Sequence, residues 1–260
     1  MINVLQLGTI DYATGLKLQQ RLVELRKAGR IGDVLLFLEH TPVLTLGRNA
    51  KEKNILASPE VLVKRGVEVF ETDRGGDVTF HGPGQIVGYP IFDLRGFALP
   101  DGHRKTLGAV DYVRRLEDVL IRTCVDFKIP SKRVSGLTGV WTEVETGNEA
   151  KIAAIGVHIS HFVTSHGFAL NVNTDLNFFD LIVPCGITEK PVTSMKKELA
   201  KDVDLNAVTE SLSRNFGTVF QSQMLWLQSL DALLGSAVGV PLKTPDGLRK
   251  IHGEDGTNWA

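Results

Sequence analysis

Arg74, His81, Lys151 and Cys185 are the residues whose types and settings could do chemistry in this sequence. Arg74 and His81 bracket a string, Arg74 to Gln85, that holds four glycines. Glycine costs conformational entropy in an ordered element, so such a string beside an apolar strand implies that the backbone must approach something closely. Gly75-Gly76 and Gly82-Pro83-Gly84 are also strong turn signals, and a plain turn with a bent strand is the competing reading. Two such signals within ten residues, beside a cation and a proton-transfer group, favour a site for a ligand with a polar head. The glycine spacing is not that of a dinucleotide loop, and no Gly-Lys-Ser/Thr follows to make a phosphate loop. Cys185 sits in a loop between Pro184 and Gly186, where reactive groups tend to be found, although a lone loop cysteine is more often inert. Lys151 opens a strand after a turn, which ordinarily describes a solvated lysine. Cys124 falls on the apolar face of a helix and reads as core. His158, His161 and His166 raise the question of a metal, but strand positions three apart point to opposite faces, so no metal site is expected.

The elements that must position these groups follow from periodicity. Residues 2–6 and 34–38 are apolar strands, the second short and continuously apolar as a buried strand would be. Asp11 caps a helix carrying Leu16, Leu22, Val23 and Leu25 that stops at Gly29. Residues 43–46 form a strand, Ser58-Pro59-Glu60 starts a helix that ends near Gly66, and residues 67–72 alternate into the glycine string. Residues 105–127 read as the longest helix, with Val110, Val113, Leu116, Leu120, Ile121, Cys124 and Phe127 on one side. Residues 140–144 and 151–157 flank a turn, Thr146-Gly147-Asn148-Glu149, as a hairpin would. A strand at 168–172, a loop at 173–190 and a helix from Asp204 to Phe220 follow. Interleaved helices and strands with a hairpin-rich second half indicate an α+β fold, a mixed sheet covered by helices. Residues 1–220 are expected to form the main domain. Residues 221–260 are expected to be an extension packed on it, with an apolar stretch at 224–234 and a short helix start at Thr244-Pro245-Asp246.

The chain has 260 residues and a net charge of −1, with no basic footprint for a nucleic-acid partner. No apolar run is long enough to span a bilayer, and no secretory signal is recognisable. Two cysteines make no disulfide framework. A cytoplasmic protein with reduced thiols is expected.

Taken together, several segments resemble the lipoyl (octanoyl) transferase family. These are Glu39-His40-Thr41-Pro42, Thr45-Leu46-Gly47, Arg74-Gly75-Gly76, His81-Gly82-Pro83-Gly84-Gln85, Gly88-Tyr89-Pro90, Lys151 to Val157, His166 to Val172 and Pro184-Cys185-Gly186-Ile187. The matching blocks run from about residue 34 to 195, and the last 40 residues carry no such signature. Asp77 stands where the family pattern has a neutral polar residue, and Phe80 where tyrosine is common. The resemblance implies a fold like that of biotin and lipoate protein ligases. It implies transfer of octanoyl from octanoyl-acyl carrier protein to a lysine of lipoyl domains, in 2-oxoacid dehydrogenase complexes and the glycine cleavage H protein, with no cofactor, metal, nucleic acid or membrane.

By the same resemblance Cys185 is the nucleophile and Lys151 its partner. Arg74, Gly75, Gly76, Asp77, Val78, Thr79, Phe80 and His81 form one wall of the substrate site. Ala154, Ile155 and Gly156, with Gly167, Phe168 and Ala169, form the other. Backbone N–H groups around Gly75-Gly76 and Cys185-Gly186 are candidate oxyanion donors. Carrier proteins and lipoyl domains are often acidic, so Arg104-Lys105, Arg114-Arg115 and Lys132-Arg133 are candidate docking charges.

Overall fold

A computed structural model describes residues 1–98, 104–143, 149–184 and 190–233. The order is β1 (Ile2–Ile10), α1 (Tyr12–Lys27), β2 (Asp33–His40), β3 (Val43–Leu46), α2 (Pro59–Lys64), β4 (Glu68–Glu71), β5 (Val78–His81), β6 (Gln85–Ile91), β7 (Phe97–Ala98), β8 (Arg104–Lys105) and α3 (Ala109–Asp126). Then come β9 (Ser131–Val134), β10 (Leu137–Glu143), β11 (Glu149–Ser160), β12 (Val163–Asn171), α4 (Met195–Leu199), α5 (Leu205–Phe220) and β13 (Met224–Trp226). The main sheet is mixed and runs β13-β1-β2-β6-β12-β11-β10-β9, and a small sheet runs β4-β3-β5. This is the expected α+β arrangement.

Burial on both faces explains why β2 reads as an unbroken apolar run. Leu35 and Phe37 join the core under α3 and α5, whereas Val34, Leu36 and Leu38 pack with Leu18, Leu22 and Leu25 of α1. Asp11 caps α1 by accepting a hydrogen bond from the Thr14 amide at 2.8 Å, and Gly29 follows the helix at φ +67°. In β6, Gly88 leaves room for Phe168: a β-carbon there would lie 2.2 Å from the ring, which goes on to stack on Phe216 of α5.

Three departures have local causes. The helix expected from residue 105 starts at Ala109, because Leu107 is drawn into the core with its amide bonded to Leu94 O, and Gly108 is extended. Arg104–Lys105 instead pair with Phe97–Ala98, and Val110 is 71% exposed rather than core-facing. β11 and β12 are joined by a turn with His161 and Phe162 at φ +51° and +66°, without the asparagine or glycine that usually marks such a hairpin. Finally, β13 pairs in parallel with β1, and Leu230 and Leu233 are buried beside α1. Residues 234–260 lie outside the described part. Among the described residues no helix is long and apolar enough to cross a membrane.

Candidate active site

Strand alternation splits the first wall. In β5, Thr79 and His81 line a cavity between the two sheets, while Val78 and Phe80 face the other way into the small sheet's core, where Phe80 stacks on Phe178 at 4.6 Å. The structure therefore brings Arg74, Gly75, Gly76, Asp77, Thr79 and His81 to the cavity but not Val78 or Phe80. Ala154, Ile155 and Gly156 of β11 and Gly167, Phe168 and Ala169 of β12 complete the lining, as neighbours across one antiparallel ladder. Tyr12, Val87, Tyr89 and His166 also line it. The enclosed volume is about 50 Å³, and the remaining space opens to solvent.

The glycines make the seam between the sheets. Gly75 N–H donates to Val157 O at 3.0 Å, so it is engaged and not available to an oxyanion. A β-carbon on Gly156 would stand 2.8 Å from Gly75 O, and one on Gly47 2.3 Å from Gly76 O. Gly156→Ala is accordingly expected to push the Gly75 loop off β11 and to weaken binding of a ligand in this cavity at least tenfold, with a loss of stability of about 1–3 kcal/mol. Titration of binding and chemical denaturation of the variant measure both.

The polar end of the cavity is cationic and rigid. The buried Arg74 guanidinium donates to Thr45 Oγ1 and to the carbonyls of Thr45 and Gly75. Gln85 donates through Nε2 to Phe80 O and Asn171 Oδ1, so its Oε1 is left to accept from His81 Nδ1 at 2.7 Å. That leaves His81 Nε2 with its lone pair, 3.4 Å from Thr45 Oγ1. Burial, then His40 and Arg74, push the His81 imidazole down to about 3, so it is neutral. His40 is likewise pushed down to about 4 by burial; its ring bridges Ile10 O and the Tyr89 hydroxyl. Burial also pushes the Tyr12 hydroxyl up to about 12.

Asp77 turns out to be a loop anchor. Its carboxylate accepts from the amides of Lys51 and Val78 and from Asn54 Nδ2, which ties the 51–54 turn to the site. Of the three histidines weighed for a metal, His158 and His166 both reach Asp73, at 3.6 and 2.7 Å, but His161 bonds Ser160 at the hairpin turn. No group of metal-holding side chains occurs among the described residues.

Lys151 is not the solvated lysine its sequence position suggests; it is 8% exposed. A bulge causes this. Val140 pairs with Ala153 but Trp141 pairs with Lys151, leaving Ile152 extra on β11 and turning the lysine inward. Its Nζ lies 4.7 Å from the centre of the Trp141 ring. Lys151 lines a small cavity with Pro184, Phe179 and Val192, and this cavity shares Thr79, Ala154 and Ala169 with the larger one. Cys185 lies outside the described residues. Cys124 is buried in the main core with its thiol pushed up to about 12 by burial, so it is inert. The candidate docking charges are partly engaged internally: Arg114 and Arg133 both hold the buried Glu117, and Lys132 reaches Glu149 at 3.6 Å.

Residues 11–217 match the lipoyl protein ligase A/B catalytic domain. The chain belongs to this family. Within it, the chain is 60% identical to a protein of Koribacter versatilis named octanoyltransferase, over 98% of both chains. An octanoyltransferase of Acidobacterium capsulatum is 59% identical over 90% of this chain and 96% of its own. Among solved structures, a bipartite lipoate protein ligase of Thermoplasma acidophilum superposes with a TM-score of 0.62 at 14% identity, covering 97% of this chain and 90% of that one. A lipoate-protein ligase A bound with ATP gives 0.62 at 12% identity, covering 98% and 94%. At those identities the likeness establishes the shared ligase fold.

Of the cavity-lining residues, Tyr12, Val87, Tyr89 and His166 were not among the catalytic or substrate-binding candidates of the sequence, His166 having been weighed only for a metal. Val87 and Tyr89 share a face of β6 by alternation, a signal beside Gly88-Tyr89-Pro90 that could have found them. Tyr12, at the start of α1, carries no such signal.

Proposed function

We propose that this chain is an octanoyltransferase of protein lipoylation, working through a thioester on Cys185. The high identity to octanoyltransferases over nearly the whole length supports the reaction. The observation that carries the mechanism is the setting of Lys151: a buried lysine lining one small cavity with Pro184, the residue before Cys185, and walled off from the larger cleft by the shared Thr79, Ala154 and Ala169. Lys132 and Lys190 both pair with Glu149, whereas Lys151 has no carboxylate partner among the described residues. A cation in that state favours a neighbouring thiolate.

Cys185 reacts as a thiolate paired with the Lys151 ammonium and attacks the carbonyl of octanoyl-acyl carrier protein. A new C–S bond forms, the carrier's C–S bond breaks, and the leaving sulfur takes a proton from Lys151 Nζ, which becomes a neutral amine. The neutral amine of a lipoyl-domain lysine then attacks the Cys185 thioester. A C–N bond forms, the Cys185 thiolate leaves, and the amine loses its proton. Thioester exchange is nearly balanced and amide formation is downhill, so no ATP is required. Lys151 holds the thiolate in the first half; in the second, its neutral amine takes the proton from the attacking lysine and so restores the ammonium–thiolate pair. The octanoyl tail lies between Ala154-Ile155 and Ala169, about 10–13 Å along β11 from Lys151. Burial there contributes roughly 0.8 kcal/mol per methylene.

The test is intact-mass analysis after mixing the full chain with octanoyl-acyl carrier protein. One octanoyl adduct on Cys185, absent in Cys185→Ser and passed on to an added lipoyl domain, is the expected result. Absence of any adduct, with ATP consumed during lipoyl-domain modification, would identify a ligase instead.

A further inference from the structure

Resting on that reading of Lys151, we propose that Trp141 is a positioning residue for the reaction, its indole serving as the platform that holds the Lys151 ammonium toward the nucleophile. The ring lies within cation–π distance of two lysines, with Nζ of Lys151 at 4.7 Å and Nζ of Lys190 at 5.8 Å. The two cations are not equivalent. Lys190 is neutralised by Glu149, and Lys151 has only the ring among the described residues. The aromatic face thus stabilises a buried cation without occupying the place of its anion, which a carboxylate would do. That leaves the charge open to a thiolate.

The indole acts through its face. Trp141 is 1% exposed and its Nε1–H has no acceptor among the described residues, although a buried tryptophan usually finds one. Hydrogen bonding therefore does not explain a tryptophan here. The ring's position is instead imposed from behind. Glu117, fully buried in α3, receives Arg114 and Arg133 at 2.7 and 2.8 Å on one oxygen and the Gly139 amide at 3.2 Å on the other. Gly139, at φ +119°, lets the strand pass so close that a β-carbon would meet Ala153 O at 2.6 Å. Pinned there, β10 meets β11 through the bulge at Ile152 and sets Trp141 opposite Lys151. α3 thereby transmits its placement to the lysine through one amide and one ring.

Acylation of the full chain by octanoyl-acyl carrier protein is timed by intact mass across pH 6–9, with melting temperature recorded for each variant. Trp141→Leu is expected to slow acylation about tenfold at every pH sampled, since the lysine has lost the ring that holds it in place. Trp141→Phe, which keeps an aromatic face and no N–H, is expected to recover most of the rate. Fluorinated tryptophan in a chain carrying Trp226→Phe and Trp259→Phe drains the ring's charge without changing its shape. Each added fluorine should slow acylation further, a readout that survives if Trp141→Leu does not fold. Rates indifferent to fluorination, while Lys151→Ala still slows acylation, would overturn the platform and leave the dyad standing. Wild-type acylation in Lys151→Ala would remove the reading beneath it as well.

Discussion

Lys151→Met is expected to lower octanoyl transfer by about 10²–10⁴-fold and yet to raise the melting temperature. The rate loss is the usual effect of removing a positioned proton-transfer group. The gain in stability follows from burial. An ammonium that is 8% exposed, with no carboxylate among the described residues, bears a desolvation cost that the Trp141 ring offsets only in part. Methionine has similar length, packs on an aromatic ring through its sulfur, and carries no charge. Relief of about 1 kcal/mol would raise the melting temperature by about 2–4 °C for a chain of this size. Calorimetry beside a lipoyl-domain mass-shift assay measures both. A variant less stable than wild type, or transfer within threefold of it, would show that the lysine is structural.

Stability is expected to fall steeply as pH drops from 6.5 toward 4. His40 and His81 are held neutral, pushed down to about 4 and about 3 chiefly by burial. In the unfolded chain each titrates near 6.5. Between those limits the unfolded state binds more protons, so stability is full above pH 6.5 and is lost as pH falls toward the folded values. Two such groups give a slope of about 2.7 kcal/mol per pH unit once the unfolded histidines are charged. Urea unfolding at pH 7, 6 and 5 measures it, and His40→Gln should remove about half. A flat profile over that range would mean that both rings take up protons in place. The carboxylates do not mimic this effect, since Asp73 and Asp93 are held below the usual range and lose their contribution only at lower pH.

The glycine string was legible because it records a backbone constraint. Gly156 against Gly75 O and Gly47 against Gly76 O are contacts that only glycine permits, and they mark the seam in one dimension as they do in three. The apolar run of β2 and the capped α1 were legible for similar local reasons. Which side chains of β5 face the cavity was not, since that depends on β3 pairing beneath them. Lys151 was misleading because its burial comes from a bulge set by β10, and β10 is set by Glu117 on a helix packed beside it. Asp77 looked like a stray charge in a binding loop. Its partners, Lys51 and Asn54, lie more than 20 residues earlier, in a turn with no motif of its own.

The pairing of β13 with β1 has a consequence for synthesis. Ile2–Val4 are made about 220 residues ahead of Met224–Trp226, which cover their outer edge. At 5–20 residues per second that edge stays open for roughly 10–45 seconds on the ribosome. Its inner edge is satisfied early by β2, so a half-finished sheet with apolar Val4 and Leu5 waits for its last strand. An open edge of this kind accepts any extended peptide that reaches it. Nascent chains paused before Met224 are thus the form of this protein most exposed to mispairing and most dependent on a chaperone to shield them.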